Sequence, residues 1–374
     1  MMCRVSTLLI LLTSSAYAHP TPLLTLAPSY PLPDTCAGAE ILLCSAARVD
    51  WSAIQGNASI ALPTGDVLDL EYKTRLGDDQ GITAVYSNTE GSRAVITFHH
   101  RTLYGTVHTS SGQEFRIETS SNADQVVWAQ IDQSVLDDDD DVVEEDPLEA
   151  EIPDMRMTEL LAKGRADNST VVEYTVTVYY TKGFKESTAD PETFINQVVA
   201  ETNDGYKNSG IPLRAKLHCV LQSDIPDGLP SFVALRLFTI RQASLNLVRR
   251  SADAAILLVR NYSRRNNCGV NWFNSFSNGQ TIGTVRKACA LGYFSFGHEI
   301  AHGFGLAHDR RVASHSSVPF AYGNIIAVSN RLPEVSQNIR LTVFLLAWKV
   351  QIHHGVQQGQ GEEGEPLLLP CHHV

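Results

Sequence analysis

The stretch VVEYTVTVYY at 171–180 is where the fold of the larger part of the chain begins. Its apolar residues alternate with mostly polar ones, which is the period of a β-strand that has one face against a core. The residues in phase are Val172, Tyr174, Val176, Val178 and Tyr180. The sequence therefore predicts a half-buried strand, and the segments after it decide the fold class.

A helix and a second strand follow. Asp190 and Pro191 have the positions of an N-cap and a first helical residue, and apolar residues recur at helical spacing as far as Tyr206. LRAKLHCVL at 213–221 then alternates again, which predicts a second strand. Its residues predicted to share one face are Leu213, Ala215, Leu217, Cys219 and Leu221.

The remaining segments complete an α/β pattern. A helix is predicted over roughly 231–250, and AAILLV at 254–259 is a short buried strand. CGVNWF at 268–273 is one more strand, and a helix carrying residues 298–302 follows it. The order strand–helix–strand–helix–strand–strand–helix predicts an α/β domain with a mixed sheet.

The last of these helices carries the motif HEIAHGFGLAHD at 298–309. His298 and His302 are four residues apart, so they share one face of a helix and both imidazoles can reach one ion. Glu299 lies beside the first histidine, where it can take a proton from metal-bound water without binding the metal. The pattern predicts a zinc site.

The residues after the second histidine complete the predicted ligand set. Gly305 tolerates the positive φ that a sharp turn out of the helix requires. That turn would bring His308 back as a third ligand and leave a fourth position for water. Three protein ligands with an open position are typical of catalytic zinc sites, whereas structural sites have four.

These residues match H-E-x-x-H-x-x-G-x-x-H, the zinc-binding pattern of the metzincin peptidases. Asp309 after the third histidine resembles the reprolysin/adamalysin-like, or M12B-like, branch. VVEYTVTVYYTKGF and NDGYKNSGIPLRAKL resemble the first strand, helix and second strand of these secreted enzymes, and CGVNWF resembles their substrate-lining edge strand. The resemblance implies a metzincin-like α/β (α+β) catalytic domain with a mixed twisted sheet, a zinc-binding helix and a β-rich prodomain.

The resemblance also implies the chemistry. One catalytic Zn²⁺ held by His298, His302 and His308 would activate a water, and Glu299 would act as general base and pass the proton to the leaving amine. An extended peptide substrate would pair with the edge strand through its backbone. Asp309 has two interpretations, a local hydrogen bond that holds the ligand loop and an ordinary exposed loop acid.

The N-terminal part has a different character. Short runs rich in β-branched and aromatic residues at 51–132 predict an all-β module, and they resemble the propeptides of the same enzymes. The resemblance implies that this module inhibits the enzyme and is removed near Lys163-Gly-Arg165. Adjacent His99 and His100 on a predicted strand should face opposite ways. The predicted divisions are a signal peptide (1–18), a β-rich propeptide (19–134), an acidic linker (135–165), the catalytic domain (166–327) and an atypical, poorly ordered tail (328–374).

Charge and targeting signals agree with a secreted protein. The net charge is −12, but residues 137–154 contain eleven acids and no base, so the rest is close to neutral and no basic stripe indicates nucleic-acid binding. A solvated linker explains these acids better than a calcium site.

A basic start, a short apolar run and AYA at 16–18 predict cleavage after Ala18. No membrane span is predicted. The candidate glycosylation sites are Asn57, Asn168 and Asn261.

The cysteines fit an oxidising compartment. Six of the seven remain after Cys3 leaves with the signal peptide, and the local pairs Cys268–Cys289 and Cys36–Cys44 are the predicted disulfides. An alternative is that Cys36 or Cys44 caps the zinc as a thiolate in a latent form, which requires that cysteine to be unpaired.

One family feature is missing from the sequence. Metzincins carry a methionine in a turn beneath the zinc site, whereas the four methionines here are Met1, Met2, Met155 and Met157, and none follows His308. The sequence therefore leaves two hypotheses: a secreted zinc metalloendopeptidase made as a zymogen, and a catalytically silent secreted protein that binds zinc and peptide.

Overall fold

The fold was described from a computed structural model of the chain. The residues that it describes are 20–28, 32, 36, 38, 40–54, 56–76, 81–120, 125–132, 142–143, 171–209, 211, 213–244, 252–263, 267–273, 275 and 281–305.

The N-terminal part is a closed barrel of nine strands. Neighbouring strands are antiparallel, except that the first and third pair in parallel and close the barrel. Alternate side chains point inward and pack around Trp128, Phe115 and Tyr86, which are fully buried. The strands are Thr21–Leu26 (β1), Ile41–Val49 (β2), Ala58–Ala61 (β3), Val67–Leu76 (β4), Ile82–Ser87 (β5), Arg93–His99 (β6), Thr102–His108 (β7), Glu114–Thr119 (β8) and Val126–Ile131 (β9).

The two adjacent histidines of the barrel do not face opposite ways. β6 ends at His99, and His100 lies in the following turn with a φ of 51°. Because the turn breaks the strand alternation, the two rings lie together with their centroids 4.1 Å apart. The prediction was wrong because it extended the strand by one residue.

The C-terminal part contains a six-stranded mixed sheet. Its strands are Val142–Val143 (β10), Val172–Tyr180 (β11), Leu213–Gln222 (β12), Ala254–Val259 (β13), Gly269–Trp272 (β14) and Thr281–Arg286 (β15). Their order across the sheet is β10–β14–β15–β13–β11–β12, and only the β14–β15 pair is antiparallel. Apart from the two-residue β10, β14 is therefore an edge strand. The mixed α/β architecture predicted from the sequence is confirmed.

Helices cover both faces of this sheet. One face packs against Phe194 of α2 and Ile300 of α5, and the other packs against Phe238 of α3. The helices are Lys182–Glu186 (α1), Pro191–Asn208 (α2), Ser231–Ser244 (α3), Lys287–Ala290 (α4) and Ser295–Gly303 (α5). Helix α2 begins as predicted, since Asp190 accepts hydrogen bonds from the backbone N–H groups of Glu192 and Thr193. Among the described residues, none of these helices is long and apolar enough to cross a membrane.

Strand β12 departs from the predicted alternation. Its register against β11 skips His218, so Leu217 pairs with Val176 and Cys219 with Thr177. This bulge reverses the phase of the residues that follow. Val220 therefore packs with the core under α2, and Leu221 packs with the core under α3. The prediction that Leu221 shares a face with Leu213 was wrong.

The barrel lies against α2 and the segment between β15 and α5. Arg93 of β6 pairs with Asp204 of α2, and the side-chain amide of Gln197 donates to the Val95 carbonyl at 2.9 Å. Lys287 of α4 reaches Glu118 of β8 at 3.2 Å. Asp204, Gln197, Glu118 and Lys287 are buried and Arg93 is half-buried, so the barrel and the mixed sheet share a largely buried polar interface.

Candidate active site

Helix α5 presents the two histidines of the motif. It begins after Phe294, which has a φ of 55°, and it ends at Gly303. Gly305 follows with a φ of 90°, and its N–H donates to the His302 carbonyl at 2.8 Å. Glycine adopts this conformation without a Cβ penalty, which explains how the chain leaves the helix directly after the second histidine.

The imidazoles of His298 and His302 converge on one point. Their Nε2 atoms lie 2.8 Å apart, and the rings are nearly perpendicular with centroids at 4.3 Å. His302 is fully buried, and His298 is partly buried. Two ring nitrogens brought this close by one helical turn are a donor set that fits a divalent ion such as Zn²⁺.

Glu299 follows His298 on α5, and its side chain packs against the edge strand. The side chain is fully buried. It covers Gly269 at the start of β14, where a Cβ atom would approach the Cγ and Cδ atoms of Glu299 to 2.7 Å. The glycine therefore makes room for the carboxyl group between α5 and β14.

The edge strand is held in place at both ends. The Cys268–Cys289 disulfide joins the residue before β14 to α4, with the Cα atoms 5.4 Å apart. At the other end, the indole N–H of Trp272 donates to the Thr239 hydroxyl of α3 at 2.7 Å. The strand that carries Gly269 is therefore positioned by a covalent link and by a helix.

The floor of the site contains buried polar groups. Asn271 lies on the same face of β14 as Gly269 and is fully buried. Within the described part of the chain, neither polar atom of its side-chain amide has a hydrogen-bond partner, nor has the Thr281 hydroxyl of β15. Buried polar atoms of this kind are usually satisfied by water or a ligand, so this floor suits a polar occupant.

Other predicted site residues have different outcomes. His308 and Asp309 lie outside the described residues, and so does Asn168. Asn57 and Asn261 are exposed, as a modified asparagine must be.

Both predicted disulfides, Cys36–Cys44 and Cys268–Cys289, are confirmed. Because Cys36 and Cys44 are bonded to each other, neither is a free thiolate that could cap a metal.

Sequence reasoning missed β15 and the role of Gly269. The segment TIGTVR, which forms β15, is rich in β-branched residues and gave a usable strand signal. β15 lies between β14 and β13, so it connects the edge strand to the rest of the sheet. No local pattern indicated Gly269, because its contact with Glu299 joins residues that are 30 positions apart.

A known metallopeptidase family matches the C-terminal part of the chain. Residues 168–338 match the sequence model of the family described as Metallo-peptidase family M12B Reprolysin-like. The match continues past residue 327, where the predicted catalytic domain ends. It therefore includes all of the described helices and the strands from β11 onward.

Curated relatives cover a smaller part of the chain. The peptidyl-Asp metalloendopeptidase of Xanthomonas campestris pv. campestris is 27% identical over 139 residues, and that of Stenotrophomonas maltophilia strain K279a is 29% identical over 139 residues. Each match covers 36% of this chain and 32% of the relative, so the chain spans about a third of the relatives' length. Among solved structures, metalloproteinase-II from Bacteroides fragilis is 10% identical, covering 67% of this chain and 81% of its own, with a TM-score of 0.43.

Proposed function

We propose that this chain, which over residues 168–338 matches the model of the reprolysin-like metallopeptidases, is a secreted zinc-dependent endopeptidase made in an inhibited form. The observation that carries the proposal is the pair of Nε2 atoms 2.8 Å apart on α5, the helix that also carries the buried Glu299. The family and the names of the relatives favour an enzyme over a catalytically silent binding protein.

The metal ligands in this proposal are His298, His302 and His308. A Zn²⁺ ion bound there supplies a Lewis acid that acidifies a water and polarises a scissile carbonyl. Glu299 is held within the fold beside the first ligand, and its carboxylate accepts the water's proton and returns it to the leaving amine. Burial of Glu299 between α5 and β14 keeps the carboxylate in one position, so little reorganisation is needed during the reaction.

The proposed substrate is a peptide in an extended conformation. β14 is an edge strand four residues long, and its outer side can form backbone hydrogen bonds with an added strand. The relatives are named peptidyl-Asp metalloendopeptidases, which makes a peptide containing aspartate the first substrate to test.

The barrel and the acidic linker are the proposed inhibitor. The barrel packs against α2 and α4 through buried ion pairs, and Val142–Val143 of the linker pairs with Asn271 and Trp272 of the edge strand. A linker strand in this position competes with an extended substrate for the same backbone groups. Removal of the barrel and linker, with a cut near Lys163–Arg165, would then release the active enzyme.

Secretion is the proposed location. The N-terminal segment predicts a cleaved signal peptide, and two disulfides are formed among the described residues. The two described sequon asparagines, Asn57 and Asn261, are exposed and available for glycosylation in a secretory compartment.

Replacement of Glu299 tests the reaction. Glu299→Ala should lower peptide hydrolysis by about a hundredfold or more, because general-base catalysis contributes about 10²–10⁴-fold. Metal content should stay at the level of the parent protein, since Glu299 is not a proposed ligand. The measurement is cleavage of an aspartate-containing peptide library together with elemental analysis, on protein from which residues 19–165 have been removed by processing.

The matched control is Glu192→Ala, which removes an exposed glutamate from α2. It should leave both hydrolysis and metal content unchanged. Turnover by the Glu299→Ala protein equal to that of the control would rule out the proposed role of Glu299. Loss of metal from Glu299→Ala would show instead that this carboxylate is a ligand.

A further inference from the structure

Three metal-ligating side chains meet where the barrel lies against α2, and none of them belongs to the zinc motif. His108 is the last residue of β7, Glu114 is the first residue of β8, and Glu201 lies on α2. Each offers one nitrogen or oxygen atom, and the three atoms lie within 4.8 Å of one another. Two ligands come from the barrel and one from the peptidase part of the chain.

The barrel ligands are held by a hairpin. His108 and Glu114 are direct partners in the β7–β8 register, with His108 Nδ1 and Glu114 Oε1 3.8 Å apart. The turn between them is closed by the Thr109 N–H, which donates to the Gln113 carbonyl at 2.9 Å. The His108 ring also stacks on Phe294 with centroids 5.3 Å apart. Both side chains are therefore positioned before any ion binds.

The helix ligand is oriented by a backbone group. The Gly292 N–H donates to both carboxylate oxygens of Glu201, at 3.0 and 3.2 Å. Gly292 has a φ of 93°, and a Cβ at this position would approach Glu114 Oε1 to 3.3 Å. The glycine thus lets the backbone come close to both carboxyl groups, which brings them together at one point.

The charges at this point favour a cation. Glu114 and Glu201 are 3% and 2% exposed, so two carboxyl groups lie together away from bulk water, where a bound cation would offset the cost of burying them. Two arginines act on this cluster, and each is already paired with another carboxylate, Arg93 with Asp204 and Arg116 with Glu118.

We propose that His108, Glu114 and Glu201 bind a divalent transition-metal ion, Zn²⁺ or Mn²⁺, that joins the barrel to α2. One imidazole and two carboxylates are nitrogen and oxygen donors that suit both ions. Since the ligands come from both parts of the chain, binding of the ion stabilises the docked barrel, and its removal weakens docking.

The test uses the full-length chain with Glu299→Ala, which prevents self-cleavage. The protein is stripped with EDTA, loaded with Zn²⁺ or Mn²⁺ separately, desalted and analysed for bound metal. Glu201→Gln in this background should bind one equivalent less than the parent, and the ion should raise the Tm of the parent by several degrees more than that of the variant, which keeps the zinc motif. Glutamine keeps the shape of the side chain and still accepts from Gly292. Glu114→Gln should behave in the same way and provides a second variant.

Two controls separate this site from the zinc motif. Glu192→Gln is the same substitution on an exposed position of α2, and it should keep the full metal count. His302→Ala should lose a different equivalent, so the His302→Ala/Glu201→Gln double variant should bind no metal. If His302→Ala lost bound metal and neither Glu201→Gln nor Glu114→Gln did, the result would support the proposed catalytic site and not this second site. Equal metal content in the parent, Glu201→Gln and Glu114→Gln proteins would overturn the inference and indicate a proton shared between the two carboxyl groups.

Discussion

At the scale of single residues, the site depends on contacts that join distant parts of the chain. The acid–base group proposed for the reaction, Glu299, lies over Gly269, and a disulfide fixes the residue before that glycine to α4. His298 and His302 need only the helix that carries them, because a spacing of four residues aligns them. The position of the Glu299 carboxyl group depends on the edge strand as well.

Gly269→Ala tests this dependence. The added methyl group would overlap the Glu299 side chain and displace its carboxyl group, so kcat/KM should fall by about tenfold to a hundredfold, the order expected when a catalytic group moves by about 1 Å. Metal content should be unchanged, because the atoms nearest to the added methyl group all belong to Glu299, which is not a proposed ligand. Glu192→Ala, an exposed substitution on α2 of the same processed enzyme, is the control and should leave kcat/KM unchanged. Wild-type kcat/KM in Gly269→Ala would show that Glu299 is free to move.

The residues of the motif were identified from the sequence because their chemistry depends on spacing within one helix. Gly269 was not, since its role arises only when β14 packs under α5. The same holds for Asn271, whose buried amide shows no sign in the sequence CGVNWF. Residues that act through a neighbour far along the chain have no local pattern.

At the scale of elements, α2 connects the barrel to the mixed sheet. Asp190 caps its first turn, and the His99 ring of the barrel lies 3.3 Å from the same carboxylate. Burial alone would raise the pKa of Asp190, but hydrogen bonds from Thr193 and the contact with His99 outweigh it and lower the pKa. The ionised cap therefore stabilises the fold.

Asp190→Asn isolates the charge of this cap, since asparagine is an equally good N-cap residue. A carboxyl group whose pKa is lowered by folding contributes stability above its ordinary value of 3.8, and this contribution is lost as the pH falls through the folded-state value. The variant should thus be less stable by about 1 kcal/mol at pH 7, a common size for a charge at a helix start. The difference should disappear at about pH 2.

Urea denaturation at the two pH values measures this difference. Glu90→Gln, in an exposed turn of the barrel, is the control and should change stability little at either pH. A stability difference for Asp190→Asn that is the same at pH 7 and at low pH would contradict the assignment to charge.

The positions of strands and helices were predicted better than the contacts between them. The strands at 171–180, 213–221 and 254–259 and the cap at Asp190 follow from local periodicity and capping, and the structure has each of them. The predictions failed where one residue changes the phase, as at His218 and His100. A bulge or a turn residue in these positions is stabilised by the neighbouring strand and not by its own sequence.

At the scale of the whole molecule, the acidic linker meets the proposed substrate strand. The sequence predicted a solvated boundary over 136–154, but Val142–Val143 forms a two-residue strand on β14. An isolated apolar pair among acids has little strand signal, and the exposed edge of β14 supplies the missing partner.

Loss of this pairing should activate the full-length chain. In the double variant Val142→Pro/Val143→Pro the linker loses the backbone donors for β14. Turnover of a short peptide by uncleaved protein should rise by about tenfold or more, because one or two hydrogen bonds of about 1 kcal/mol each shift the balance between covered and open site by that order. The Val142→Ala/Val143→Ala variant keeps the donors and should stay near the parent. Equal turnover in the proline and alanine variants would exclude the linker as an inhibitor.

The sequence by itself determined the elements that rest on local order: the alternating strands, the helix start at Asp190 and the spacing of the histidines, while the two short-range disulfides were predicted from it and settled by the structure. Periodicity, capping and loop length act over a few residues, so they can be read directly. Only the tertiary structure decided that the barrel closes, that β15 joins the edge strand to the sheet, that Glu299 lies over Gly269, and that His108, Glu114 and Glu201 meet. Each of these depends on contacts between residues far apart in the chain, which packing of the whole molecule selects and no local pattern encodes.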